Sequence, residues 1–263
     1  MFNDIPYYKV NREERHFGFL FMAAILCSPS AREKIFEYIN AVNGSKLLSD
    51  KFDIYAEVSI FRDYWNNLGD PGIYDKGTHD KRYEIFANFL KTMNIDSKVI
   101  ESEEVFWTGL PGKSKLFYPG KWTRDKIDKA ERNLGLKKRE IWRLRWLCNA
   151  KPDILIENDN EMIFIEVKVE SGFGHGYEGY SQEETQKDII NVGKNTIPNM
   201  MKKKIYLTAL TYGSNGLHWD RIVKIICNSN DDNLSMIKRH LENIPRIEIA
   251  QQGDAPEPAS PAR

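Results

Sequence analysis

The chain has 263 residues, 41% hydrophobic and 12% aromatic, enough to bury a substantial core in one large domain or two small ones. Its 38 basic and 38 acidic side chains cancel, so no overall charge draws it to nucleic acid or to a membrane surface, and electrostatic arguments must be local. Cys27, Cys148 and Cys227 lie far apart with no CxxC pair, which excludes a disulfide framework or structural zinc cluster and fits a reducing cytosol; a cytoplasmic location is expected.

The apolar run from Phe17 to Cys27 has about 11 residues, too short to span a bilayer. It follows charged residues and lacks an A-x-A-like cleavage site, so it predicts a buried helix and no membrane partner. Residues 11–27 and 29–41 carry helical signals, with Ser28-Pro29-Ser30 starting the second helix and Asn43-Gly44 stopping it. FDIYAEVSIFRDYW (52–65) reads as a strand, or a strand leading into a helix, and GDPGIYDKGTHD (69–80) as a loop. DKRYEIFANFLKTM (80–93) places Tyr83, Phe86, Ala87, Leu90 and Met93 on one helical stripe.

GLPGKSKLFYPG (109–120), with Gly and Pro at both ends, is a loop or hairpin linker. It is the expected boundary between a mostly helical N-terminal region, 1–120, with a specificity, regulatory or dimerisation role, and a second unit, 121–248. From Thr123 the pattern is helical with a break at Gly135, and RLRWL (143–147) reads as the first strand of a meander. ILIE (154–157) and MIFIEVKV (162–169) read as strands around the turn Asn158-Asp159-Asn160. After a Gly-rich stretch (171–180), Ser181 and Glu184 form a capping box that starts a helix. IYLTALTY (205–212) is a further strand and NLSMIKRHLENI (233–244) a last helix, followed by a tail, 249–263, with the composition of disorder. The order strand, strand, helix, strand, helix makes the second half mixed α/β.

Chemistry gathers at KPDILIENDNEMIFIEVKVE (151–170). Alternation along a strand puts Glu166 and Lys168 on one face and Val167 on the other. If the Asn158–Asn160 turn sets the register, partners sum to 318 or 319 and Asp153 falls beside Ile165 or Glu166. Two carboxylates that close repel unless a cation separates them. A hard divalent ion with oxygen ligands, Mg²⁺ above all, fits such a pair and keeps positions open for water and phosphate, leaving the lysine to act on a water or on phosphate charge. A surface hairpin with a polar edge is the plainer alternative.

Pro152-Asp153, an apolar strand, a turn, a second apolar strand and Glu166-Val167-Lys168 together resemble the PD-(D/E)xK nuclease superfamily, over about residues 125–226. The resemblance implies an α/β (α+β mixed) restriction-endonuclease-like core, with a mixed central β-sheet flanked by helices. It implies that Asp153 and Glu166 bind Mg²⁺, with Mn²⁺ as substitute, that the backbone carbonyl of Val167 is a further metal ligand, and that Lys168 assists the attacking water. Members often carry a Gln on the helix after the motif; Gln182 and Gln186 occupy that place, four residues apart on one helical face. Many also carry an acid on an earlier helix, for which Glu84, Glu131 and Glu140 are candidates and Glu140 is preferred, since RLRWL follows it as a strand.

The activity so implied is that of a Mg²⁺-dependent endodeoxyribonuclease of a restriction or phage-defence type, acting on DNA with RNA left open. Double-strand cutting needs two such sites, so a homodimer is expected. The alternative is a nucleic-acid-binding or assembly module on the same fold with little or no cleavage. Charge segregation supports contact with phosphates: residues 121–151 hold eleven Lys or Arg against four acids, and residues 152–186 hold nine acids against Lys168. Lys137, Lys138, Arg139, Arg143, Arg145 and Lys151 are the candidate contacts. Trp122, Trp142 and Trp146 lie among them at spacings that fit a core as well as base stacking. His175 is read as a loop residue, no HExxH or GxSxG is present, and Cys148 lacks the surroundings of a nucleophile.

Overall fold

The turn between the two motif strands sets the register of their pairing. The Asn158 side-chain oxygen accepts from the backbone N–H groups of Asn160 (2.9 Å) and Glu161 (2.8 Å), and the Asn158 N–H donates to the Glu161 carbonyl (3.0 Å). Ile154 therefore faces Ile165 and Glu157 faces Met162, pairs that sum to 319 as the turn predicts.

The computed structural model describes residues 14–69, 75–101, 107–110, 113–169, 181–212 and 216–241. In chain order the elements are α1 (Glu14–Cys27), α2 (Pro29–Asn43), β1 (Asp53–Ala56), α3 (Ile60–Asn67), α4 (Lys76–Met93) and α5 (Lys98–Glu101). A hairpin, β2 (Trp107–Leu110) and β3 (Lys113–Leu116), is followed by α6 (Arg124–Leu134) and α7 (Lys138–Asn149). Then come β4 (Ile154–Glu157), β5 (Glu161–Val167), α8 (Gln182–Thr196), α9 (Pro198–Met201), β6 (Lys204–Thr211), β7 (Leu217–His218), α10 (Trp219–Cys227) and α11 (Ser235–Leu241). The fold is mixed α/β: a five-stranded mixed sheet in the order β1-β4-β5-β6-β7, flanked by helices. β1, β4 and β5 are antiparallel neighbours, whereas β6 runs parallel to β5 and β7 parallel to β6.

β5 is buried at every position, which suits the continuous apolar run of a central strand. Its side chains alternate between two cores. Ile163, Ile165 and Val167 join Ile154 and Ile156 of β4 against Phe17, Phe21, Ile35 and Trp219 from α1, α2 and α10. Met162 and Phe164 join Leu155 against Phe86, Trp122, Leu144 and Ile189 on the other face. Each such buried side chain contributes about 1.5–3 kcal/mol.

Three expectations change. RLRWL is not a strand but the middle of α7, because Ile141, Leu144, Leu147 and Cys148 recur at helical spacing and all are buried. Helix α4 starts at Lys76, inside the stretch expected as a loop, where the Asp75 side chain accepts from the Thr78 N–H (2.8 Å) and caps it. The sheet also draws strands from both sides of the 109–120 segment: β1 pairs with β4, and α1 and α2 cover one sheet face, so α3 to α7 form a long insertion between neighbouring strands. The 109–120 segment itself contains the β2–β3 hairpin. No helix among the described residues is long and apolar enough to cross a membrane. His175 and the 249–263 tail lie outside the described residues.

Candidate active site

Asp153 precedes β4, and its side chain accepts from the Val167 backbone N–H (2.8 Å), which ties it to the end of β5. Glu166 projects from β5 on the Phe164 side, toward α8, and is 1% exposed. The Ser181–Glu184 capping box, with bonds of 2.7 and 3.1 Å, fixes the start of α8. One helical turn apart, Gln182 and Gln186 both donate side-chain N–H groups to Glu166, Gln186 at 3.1 Å. Reversing the Gln186 amide would set its oxygen against a carboxylate, so the donating orientation holds. It leaves the Gln186 Oε1 as a buried acceptor without a partner.

Lys168 lies 3.2 Å from Glu166 and 3.4 Å from Glu14, and its backbone N–H extends the parallel pairing to the Leu210 carbonyl (2.8 Å). Its own carbonyl accepts from the buried Trp219 indole N–H (3.0 Å), so α10 helps to place it. Glu14 was not a candidate from sequence. It begins α1, on the opposite side of the sheet, and reaches over the strand ends to Lys168 and to the Val169 N–H (3.4 Å). Gly18, one turn along α1, allows this: an added Cβ would sit 3.4 Å from Val167 and 3.8 Å from Ile154. Gly18→Val, which forces α1 away from the sheet, is expected to destabilise by about 1–3 kcal/mol. Gly18→Ala is expected to stay near neutral, since the gain in helix propensity offsets the tighter contact. Urea denaturation of both variants checks this, and an unchanged midpoint for Gly18→Val would remove the close approach as the device that positions Glu14.

The electrostatics follow from burial. Burial raises the Asp153 pKa from its ordinary value against the opposing pull of the Val167 N–H and Lys168. Glu166 is pushed up to about 8, by burial first and by the Asp153 charge second. For Lys168 burial acts to lower the pKa, but Glu166, Glu14 and Asp153 outweigh it and hold the ammonium above its ordinary value. The cluster thus keeps one carboxyl protonated near neutral pH unless a further cation joins it. Two adjoining carboxylates whose joint ionisation is opposed, with an unpartnered buried amide oxygen beside them, fit a hard divalent cation.

The remaining candidates are placed differently. Glu140 lies in the first turn of α7, 3.4 Å from Lys137, and lines a cleft of about 500 Å³ between α7 and α8 with Lys137, Arg139, Arg143, Glu184, Lys187 and Asp188. Glu131 is 3.9 Å from Lys138, and Glu84 lies on α4. Of the six cations expected to meet phosphate, several are already engaged within the fold. Arg143 forks onto Asp188 (2.6 and 2.5 Å), Lys138 pairs with Asp128 (2.7 Å), Arg145 donates to the Trp122 carbonyl (2.8 Å), and Lys151 is 3.7 Å from Glu57. Lys137 and Arg139 are exposed. Trp122 is fully buried and Trp142 packs against the same core, so these two are core residues. Cys148 is buried, its thiol pushed upward by that burial, which is no environment for a nucleophile.

No family model, no curated protein and no solved structure matches this chain.

Proposed function

We propose that the protein is a metal-dependent nuclease with a restriction-endonuclease-like core, hydrolysing phosphodiester bonds of DNA as an endonuclease of a restriction or phage-defence type. The observation that carries this reading is the contact group Asp153, Glu166 and Lys168, held by Gln182, Gln186 and Glu14 at one end of the central sheet. Mg²⁺, or Mn²⁺ in its place, would be held by Asp153, Glu166 and the Val167 carbonyl, and would supply a Lewis acid and a water of lowered pKa.

This chain's residues do the rest. Gln182 and Gln186 each bond one Glu166 oxygen, so the carboxylate cannot rotate; they are positioning residues. Lys168 stays protonated at neutral pH, because three carboxylates stabilise its charge. It therefore serves to orient an attacking water or to donate to a non-bridging phosphate oxygen, not to abstract a proton. Glu14 restrains the ammonium from the α1 side and forms part of the group.

The test is nicking of supercoiled plasmid with Mg²⁺, with Mn²⁺ and with chelator. Metal-dependent cleavage is expected for the wild type, and Asp153→Ala, Glu166→Ala and Lys168→Ala are each expected to lower it by roughly 100-fold or more while the circular dichroism is unchanged. Retained cleavage in all three folded variants would overturn the reading. DNA binding by the wild type without cleavage in either metal would assign the chain instead to a binding or assembly module on this fold. Labelled RNA run in parallel decides between the two nucleic acids.

A further inference from the structure

Glu166 is crowded with donors before any metal reaches it. Its Oε1 accepts from Gln182 and lies 3.2 Å from the Lys168 ammonium, and its Oε2 accepts from Gln186 at 3.1 Å. A carboxylate has about four lone-pair sites, so three donors leave room for little more, and the Asp153 carboxyl adjoins them. A divalent cation that takes Glu166 meets one donor of its own sign. The two glutamine amides carry no charge to repel it, whereas Lys168 does.

Lys168 has little freedom to withdraw. Its backbone is tied at both ends, the N–H to the Leu210 carbonyl (2.8 Å) and the carbonyl to the Trp219 indole (3.0 Å), so the flexible stem must carry any movement. The side chain is 8% exposed, so an ammonium leaving Glu166 does not pass into bulk water and needs another partner. Glu14 supplies one at 3.4 Å, while its other oxygen accepts from the Val169 N–H (3.4 Å). That second bond keeps the Glu14 carboxylate in place when the lysine moves.

We propose that Glu14 is a positioning residue that receives the Lys168 ammonium when a divalent cation takes Glu166, so that lysine and metal exchange at one carboxylate. The inference rests on the metal site of the nuclease reading and deepens it, since it names what governs the loading of that site. Before loading, Lys168 bridges Glu166 and Glu14; after it, Lys168 stands on the Glu14 side with its charge intact. Glu14 thus acts through the lysine and is not itself a ligand. Both of its oxygens are engaged on the residues that follow β5, Lys168 and Val169. The crevice that it shares with Asp153 has about 10 Å³, room for one water at most and too little for a hydrated cation.

The experiment measures Mn²⁺ binding to the full chain by calorimetry, for wild type, Glu14→Gln, Lys168→Met and the double variant, with Asp153→Ala as the baseline. Thermal melts in chelator confirm that each is folded. Glu14→Gln keeps an acceptor for the Val169 N–H but no charge for the ammonium. It is expected to raise the Mn²⁺ Kd about 5- to 150-fold, the range of a coupling between two sites. Lys168→Met is expected to lower Kd about 5-fold or more, and in that background Glu14→Gln changes it by less than about 3-fold. A crystal structure with Mn²⁺ is expected to show the lysine Nζ nearer to Glu14 than to Glu166. An equal fold-loss from Glu14→Gln in both backgrounds overturns the proposal, because a ligand or a merely structural residue acts whether or not the lysine is there. So does an unchanged Kd in Glu14→Gln, or an Nζ still on Glu166 beside bound Mn²⁺. Plasmid nicking on the same samples separates the two readings. Cleavage by the wild type with a Kd indifferent to Glu14→Gln refutes the exchange alone, and the expected cycle without cleavage refutes the nuclease alone. Wild-type binding no stronger than that of Asp153→Ala refutes the exchange and the metal site together.

Discussion

At pH 9 in chelator, Glu166→Gln is expected to unfold above the wild type, by about 1–3 kcal/mol or roughly 3–10 °C. The Glu166 carboxyl is raised from 4.5 to about 8 by burial and by the Asp153 charge. Between those pH values an unfolded chain has released a proton that the folded chain retains, so this group's contribution is fully present below about 4.5 and is lost as pH rises through about 8. Glutamine carries no charge to bury and keeps a hydrogen bond to the α8 amides, so the variant escapes the loss. The advantage disappears near pH 4, where Glu166 is protonated in both states. Mg²⁺ at about 1,000 times its Kd is expected to reverse the order, since it adds about 4.1 kcal/mol to the protein that binds it. Thermal melts at pH 4 and pH 9, with and without Mg²⁺, check every arm. Equal midpoints at pH 9 in chelator would mean that the carboxylates do not oppose each other as their burial requires.

Arg143→Ala is expected to cost about 2–4 kcal/mol of folding stability, a large effect for a residue that reads as a phosphate contact. Its guanidinium forks onto Asp188 on α8 and donates to the Met93 carbonyl (3.3 Å), so one side chain ties α4, α7 and α8 together. Asp188 is 7% exposed, and truncating Arg143 removes the forked cation that answers its charge. The figure is held below that of a fully buried pair because the Arg143 side chain is 30% exposed and partly screened. Lys137→Ala and Arg139→Ala, on the exposed start of α7, are expected to stay within about 0.5 kcal/mol. Urea melts of the three variants separate the roles; similar midpoints for all three would return Arg143 to the surface.

Helix α8 lies beneath both results, and its contribution was legible in the sequence. The capping box at Ser181 and Glu184 and the four-residue spacing of Gln182 and Gln186 are local features, and the turn at Asn158 fixed the register that sets Asp153 beside Glu166. What could not be read was long in range. Glu14 meets Lys168 across 154 positions, and it opens an apolar run whose evident reading is burial. One signal was present: Gly18, in an otherwise bulky helix, marks a face pressed against something flat, and Glu14 lies one turn away on that face. Among Glu84, Glu131 and Glu140, the sequence favours Glu140 as the upstream acid because RLRWL, five residues long, reads as a strand after it. Over twelve residues the helical period wins, and Glu140 turns out to sit among the residues of the α7–α8 cleft. Composition counts the charges of the basic segment but does not show that Asp128 and Asp188 already answer two of them.

The insertion between β1 and β4 bears on how the protein is made. Strands that are neighbours in the sheet emerge from a ribosome with α3 to α7 between them, and β6, which backs Lys168, emerges later still. Closing a loop of that length is slow, because its entropy must be spent before any pairing rewards it. A nascent chain that ends before Leu210 holds both carboxylates but lacks the strand whose carbonyl anchors Lys168. The contact group of Asp153, Glu166 and Lys168 is therefore completed only once β6 has been made, late in translation and nearly all at once.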